Sequence, residues 1–344
     1  MKDTLTDANF PKTAHQRVYH LGIRHGEVAN RIITVGTPSR ARIIAQYLDK
    51  NPQPFEVSSE RGFLTITGRY LGVPLSIISI GMGSPNMDFF VREVRECLRG
   101  DMIIVRLGSC GALIDVPVGS VVVPKACISV NRNLDFDFVH PGNQGSEPPY
   151  RISKAVSADQ ALHQKLVRAL EIAKPADWSG SILPGSVNAS ADSFYSSQGR
   201  QTTFPDHNSG LIEELLRSTP DLATLEMETF HLYHLAACWT GRSTARPDST
   251  PPVTAGPVKP VTSGPMSSAP HAPASSPLSE TSIIRAAGVQ MIFAARLSKD
   301  FITPAQVTFA ENWTGKAVLD ALAGFEIAPE HLDEERGSVW ESQS

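Results

Sequence analysis

Met102-Ile-Ile-Val-Arg-Leu-Gly-Ser-Cys-Gly-Ala112 is the stretch on which the reading of this chain turns. A short apolar run bounded by turn residues is the pattern of an interior strand of a parallel sheet, covered on both faces. Arg106 interrupts that run, and a guanidinium does not shed its proton. A cation at the end of a buried strand needs an anionic partner, and two kinds fit. One is an internal carboxylate in a structural ion pair. The other is a bound phosphate, because Gly108, Ser109, Cys110 and Gly111 add backbone and hydroxyl donors beside the guanidinium.

Upstream, residues 31–35 read as a strand, and Gly36-Thr-Pro-Ser-Arg40 turns into a helix whose apolar residues, Ile43, Ile44, Tyr47 and Leu48, are helically spaced. Thr37 fits the N-cap and Pro38 the first turn. A helix start there favours an anion with Arg40 reaching back to it; a plain surface turn is the alternative. Two further strands are expected at 63–70 and 73–80. Gly81-Met-Gly-Ser-Pro-Asn86 lacks the third glycine of a dinucleotide fingerprint and carries a proline, which excludes that reading. It instead opens a helix over 86–98 that leads into the Met102 strand, a β-α-β unit.

Downstream, the pattern predicts a strand within 116–124, a surface loop over 135–150, a helix over 158–172 and a strand near Ile182. Phe194, Tyr195, Gln198 and Arg200 follow on a polar loop, a set suited to stacking on a flat ring and hydrogen-bonding its edge. A polar loop anchored by two aromatics is the plainer reading. Glu226-Met-Glu228 is read as the first turn of an apolar helix running to about Trp239, with Glu226 as a cap and Glu228 as an acceptor for sugar hydroxyls. Residues 288–296 form another buried strand, ending in Arg296, and a helix follows over 308–322. Strands alternating with helices define an α/β fold.

The chain has 344 residues, 41% hydrophobic and 19% charged, with a net charge of -4. That composition gives a globular protein with no basic footprint for nucleic acid and no apolar run of membrane-spanning length. Cys97, Cys110, Cys127 and Cys238 lack metal-type spacing, so no metal site is expected and reduced thiols in the cytoplasm are the default. Residues 1–17 read as a polar leader. Residues 18–240 and 281–328 form one domain, split at 241–280 by a Pro/Ser-rich insertion whose composition predicts disorder, and 329–344 is a polar tail.

These landmarks, in this order, resemble the uridine phosphorylase branch of the hexameric-type (NP-I) nucleoside phosphorylases. The resemblance implies a single domain around a mixed, mostly parallel twisted sheet, partly closed into a barrel and flanked by helices. It assigns Gly36, Arg40, Arg61, Arg106 and Ser109 to phosphate, with Arg61 coming from a neighbouring subunit. His20, in Val-Tyr-His-Leu-Gly, crosses the same interface to the ribose. Phe194, Gln198 and Arg200, in Phe-Tyr-x-x-Gln-x-Arg, read the uracil with support from Arg296, and Met227 and Glu228 hold the ribose.

The implied reaction is phosphorolysis of uridine to uracil and ribose 1-phosphate, with Arg106, Glu228, Gln198 and Arg200 as the catalytic set. Inorganic phosphate is a co-substrate, no cofactor takes part, and the minimal unit is a homodimer. A broad-specificity or purine phosphorylase and a non-catalytic nucleoside-binding protein are the alternatives. Three departures stand out. Ser109 replaces a common threonine and keeps the hydroxyl. Gly62 stands where bacterial members carry the glutamate that binds a monovalent cation between subunits, which weakens the case for that ion and for a hexamer. The late strand offers no aspartate of the kind that protonates a purine, which favours pyrimidines.

Overall fold

A computed structural model describes residues 4–140, 147–241 and 282–342. The Met102–Ala112 strand is its axis. It runs parallel to Arg31–Val35 on one side and, over its whole length, parallel to Ile284–Ala295. At its far end it also pairs antiparallel with Leu222–Glu226. The main path through the sheet continues from Arg31–Val35 to Val73–Ser79, Leu64–Tyr70 and Phe55–Ser58. In the other direction it continues from Leu222–Glu226 to Val187–Ala191, Ala126–Arg132 and Tyr150–Ile152. The sheet is mixed, as expected, but strand pairing among the described residues forms no closed ring, so the expected partial barrel is seen only as a branched open sheet.

Alternation along the central strand assigns its faces. Ile103, Val105 and Leu107 join the core under the helices Pro38–Ala45, Gln160–Ala173 and Pro304–Ala323. Met102 and Ile104 join the core under Ser84–Cys97 and Thr229–Cys238. Arg106 therefore follows Met102 and Ile104 on the second face, where the apolar packing ends. The helix starts follow local chemistry: Thr37 accepts from the Arg40 N–H at 3.3 Å, Asp159 from the Leu162 N–H at 2.9 Å, and Thr303 forms a capping box with Gln306.

Several expectations need correction. Glu226-Met227-Glu228 is not a first helical turn: Glu226 ends a strand, and the helix begins at Thr229. The strands Ala126–Arg132, Val187–Ala191 and Leu222–Glu226, and the helix Leu211–Ser218, lay unread in segments taken for loops or left unassigned. The leader contains a small hairpin, Leu5–Thr6 against Lys12–Thr13. The polar tail is clamped to the domain: Trp340 is buried, Asp333 accepts from the Arg99 and Gly100 N–H groups, and Arg69 pairs with Glu335. The insertion at 241–280 lies, but for Gly241, outside the described residues.

Candidate active site

Arg106 is 3% exposed and donates from Nη2 to Glu228 Oε2 at 2.9 Å. The internal carboxylate expected as one of its two possible partners is therefore present. It engages only one edge of the fork: Nε and Nη1 are buried with no hydrogen-bond partner among the described residues. Buried donors are almost always satisfied, and two orphans on one cation mark a place where an acceptor belongs. Glu228 in turn accepts from the Gly83 N–H at 2.6 Å, a donor aimed by the positive φ of 92° at that glycine. Burial raises the Glu228 pKa, against the lowering influence of Arg106, and the nearby Glu226 raises it further.

Glu226 fixes the turn that presents Glu228. One of its oxygens accepts from the N–H groups of Glu228 and Thr229 at 2.8 and 2.9 Å and from the Thr229 hydroxyl at 2.9 Å. The other accepts from Asn188 Nδ2 at 2.8 Å and from the Ser190 hydroxyl. The capping role expected of Glu226 holds, although its carboxylate sits at the end of a strand rather than within a helix.

Arg40 is also buried. Its Nε donates to Glu311 at 2.7 Å and its Nη1 to the Leu107 carbonyl at 3.3 Å. Burial lowers its pKa, an effect that Glu311 opposes. Gln198 is buried in the short turn Ser196–Gln198. Arg200 donates to Gln198 Oε1 at 2.5 Å and to the Phe194 carbonyl at 2.6 Å, with its guanidinium 3.8 Å from the Phe194 ring centroid. Burial, and then the charge of Arg296, bring the Arg200 pKa down to about 10. Arg296 donates to the Gln198 carbonyl at 2.8 Å, so it braces the loop from behind and does not line the cavity.

These elements enclose a cavity of ≈ 240 Å³. Gly36, Arg40, Arg106, Ser109, Phe194, Gln198, Arg200, Met227 and Glu228 all line it, brought together from segments far apart in the chain. Met82, Leu225, Phe293, Ala294 and Phe301 also line it without having been singled out from the sequence, and Cys110, read there only as a donor beside Arg106, joins them. Strand alternation points to Phe293 only imperfectly, because the pairing with the central strand slips between Ile292 and Ala294. Burial and the Glu226 charge push the Cys110 thiol well above its usual range.

His20 and Arg61 do not line this cavity. His20 Nδ1 lies 2.7 Å from Glu93 Oε1, and its ring stacks on Phe89 at 3.8 Å. Arg61 donates to the Tyr19 hydroxyl and sits 4.9 Å from the centroid of that ring. Tyr19 and His20 rings are 4.8 Å apart, so Arg61, Tyr19 and His20 form one contiguous patch. Among the described residues no group of three or more His, Cys, Asp or Glu side chains is placed to hold a metal ion.

The family profile of the phosphorylase superfamily matches residues 30–239, and the chain belongs to that superfamily. Within it the chain falls with the uridine phosphorylases. One of two diverse uridine phosphorylases of the oomycete Phytophthora capsici is 35% identical, with a TM-score of 0.77 over 94% of this chain and 100% of that one. A uridine phosphorylase of Thermococcus kodakarensis is 28% identical over 241 residues, 69% of this chain and 78% of its own length. A DeoD-type purine nucleoside phosphorylase of Oceanobacillus iheyensis is also 28% identical, over 222 residues, 63% of this chain and 80% of its own length.

Proposed function

We propose that the protein catalyses the reversible phosphorolysis of uridine to uracil and ribose 1-phosphate. The observation that carries this reading is a single cavity lined both by Arg106, whose Nε and Nη1 have no hydrogen-bond partner among the described residues, and by Gln198 and Arg200 beside the Phe194 ring. Phosphate held by Arg106, Arg40 and Ser109 is the nucleophile, and its charge stabilises the oxocarbenium-like sugar that forms as the glycosidic bond breaks. Gln198 and Arg200 hydrogen-bond the uracil edge and take up the negative charge of the departing base. Glu228 accepts the ribose hydroxyls with Met227 behind the sugar. Phosphate is a co-substrate, and the proposed chemistry uses no cofactor and no metal.

Charge accounting supports a shared site. Arg40 and Arg106 are matched one for one by Glu311 and Glu228, so neither of the two arginines assigned to phosphate brings an uncompensated charge to the dianion. Arg61 of a second copy supplies that charge, and His20 beside it reaches the ribose; the patch they form with Tyr19 is the surface that carries both. The working unit is then a homodimer or a larger assembly of dimers. No described helix is long and apolar enough to cross a membrane, and all four cysteines are free thiols, which accords with a cytoplasmic enzyme.

The purine alternative is favoured by the DeoD-type relatives and opposed by the strand Ile284–Ala295, which carries no aspartate. A panel of uridine, deoxyuridine, thymidine and inosine, each with and without phosphate, tests both. Uracil release that requires phosphate, with little turnover of inosine, is the expected result. Inosine turned over faster than uridine would replace this reading with the purine one, and uridine binding without turnover would leave a nucleoside-binding protein.

A further inference from the structure

Glu311 stands apart in its own helix. Along Pro304–Ala323 the buried positions are otherwise filled by uncharged residues, Ala310, Trp313, Thr314, Gly315 and Ala317 among them. A buried carboxylate in that setting is costly unless a cation and further hydrogen bonds compensate it. Its partner, Arg40, lies 271 residues earlier and lines the cavity, and the pair is 2.7 Å apart with both side chains almost fully buried.

The geometry around Arg40 shows what the pair does. Nε is fixed by Glu311 and Nη1 by the Leu107 carbonyl, so the planar guanidinium is held at two of its corners. Arg40 also feels the charges of Arg106 and Glu228, the first repelling it and the second attracting it. Besides Glu311, the carboxylate whose charge acts on Arg40 is Glu228, which lines the same cavity and is the group assigned to the ribose. We propose that Glu311 is a positioning residue: it holds the Arg40 fork against the pull of Glu228 and thereby keeps one phosphate arginine and one ribose carboxylate separately available. This rests on Arg40 contacting phosphate, as in the function proposed above.

The test is phosphate binding by calorimetry alongside steady-state kinetics on Glu311→Ala, Glu311→Gln, Arg40→Ala and the double variant Arg40→Ala/Glu311→Ala. Glu311→Ala is expected to weaken phosphate binding and raise its KM by about tenfold or more, the scale of a lost charge-assisted hydrogen bond. Glu311→Gln, which keeps an acceptor for Nε, recovers most of that loss. In the Arg40→Ala background, Glu311→Ala adds nothing further, because the residue acts through Arg40. Unchanged phosphate affinity in Glu311→Ala, equal defects in the Ala and Gln variants, or additive defects in the double variant would each overturn the proposal. The binding measurement keeps the two readings apart: a parent enzyme that binds phosphate yet releases no uracil refutes uridine phosphorolysis while still reporting on Glu311.

Discussion

Arg106 is bonded through one nitrogen of its three. Its bond to Glu228 keeps the guanidinium in place, and Nε and Nη1 are buried without a hydrogen-bond partner among the described residues. Arg106→Ala is expected to lower the rate of phosphorolysis by about 10²–10³-fold, the usual consequence of removing a preorganised donor from a developing or attacking anion. Unchanged turnover in a folded Arg106→Ala enzyme contradicts the assignment. Glu228 adds a pH dependence whose sign follows from its environment. Its pKa is raised above the ordinary 4.5, so as pH falls the carboxylate takes up a proton earlier than an exposed one and loses its capacity to accept from the ribose. The value of kcat/KM for uridine should therefore fall on an acid limb that lies above the ordinary carboxylate range. Glu228→Gln, with nothing to titrate, should show weak activity without that limb; a limb that persists in the variant assigns it to another group.

At the scale of elements, the site depends on how a few short segments end. The strand Leu222–Glu226 stops where the Glu226 carboxylate catches the backbone of Glu228 and Thr229, and that turn aims Glu228 at Arg106. Glu226→Ala removes several buried hydrogen bonds at once, so it is expected to destabilise the fold by about 3 kcal/mol or more and to cost activity with it, measurable by thermal or urea unfolding. The sequence made the chemistry of this region legible and its architecture much less so. Arg106 announces itself because a charged side chain within an apolar run needs a partner, whereas Gln198 and Arg200 stand out only by the aromatics beside them on a polar loop, and Glu228 by the apolar segment it precedes. The strand Val187–Ala191 hides for the same physical reason in reverse: Asn188 and Ser190 break the apolar pattern, yet both are buried because Glu226 satisfies them. Glu311 was unreadable because its partner is set by tertiary packing and not by spacing. The tail read as polar because Trp340 is its one large aromatic anchor, and a single anchor makes no periodicity. Trp340→Ala is expected to lower stability by about 3–5 kcal/mol, as for other large-to-small changes at full burial.

At the scale of the whole molecule, the distribution of the residues assigned to one reaction becomes the argument. Most converge on a single cavity, whereas His20 and Arg61 gather with Tyr19 on a separate patch. The shared site proposed above requires a pair of chains in which the patch of each copy meets the cavity of the other, an arrangement that twofold symmetry would satisfy. That arrangement has a consequence no monomeric site shares. Arg61→Ala and Arg106→Ala, each nearly inactive alone, should regain activity when the two proteins are mixed, dissociated and reassembled. In the mixed dimer the chain carrying Arg61→Ala keeps its own Arg106 and receives an intact Arg61 from the other chain, so one of the two sites is whole. With random reassortment half the dimers are mixed and half of their sites are complete, so recovery should approach about a quarter of the parent activity. Chromatography in line with light scattering establishes that exchange has occurred. Full exchange with no recovered turnover would place Arg61 in its own chain's site or outside the reaction altogether, and activity from a species shown to be monomeric would do the same.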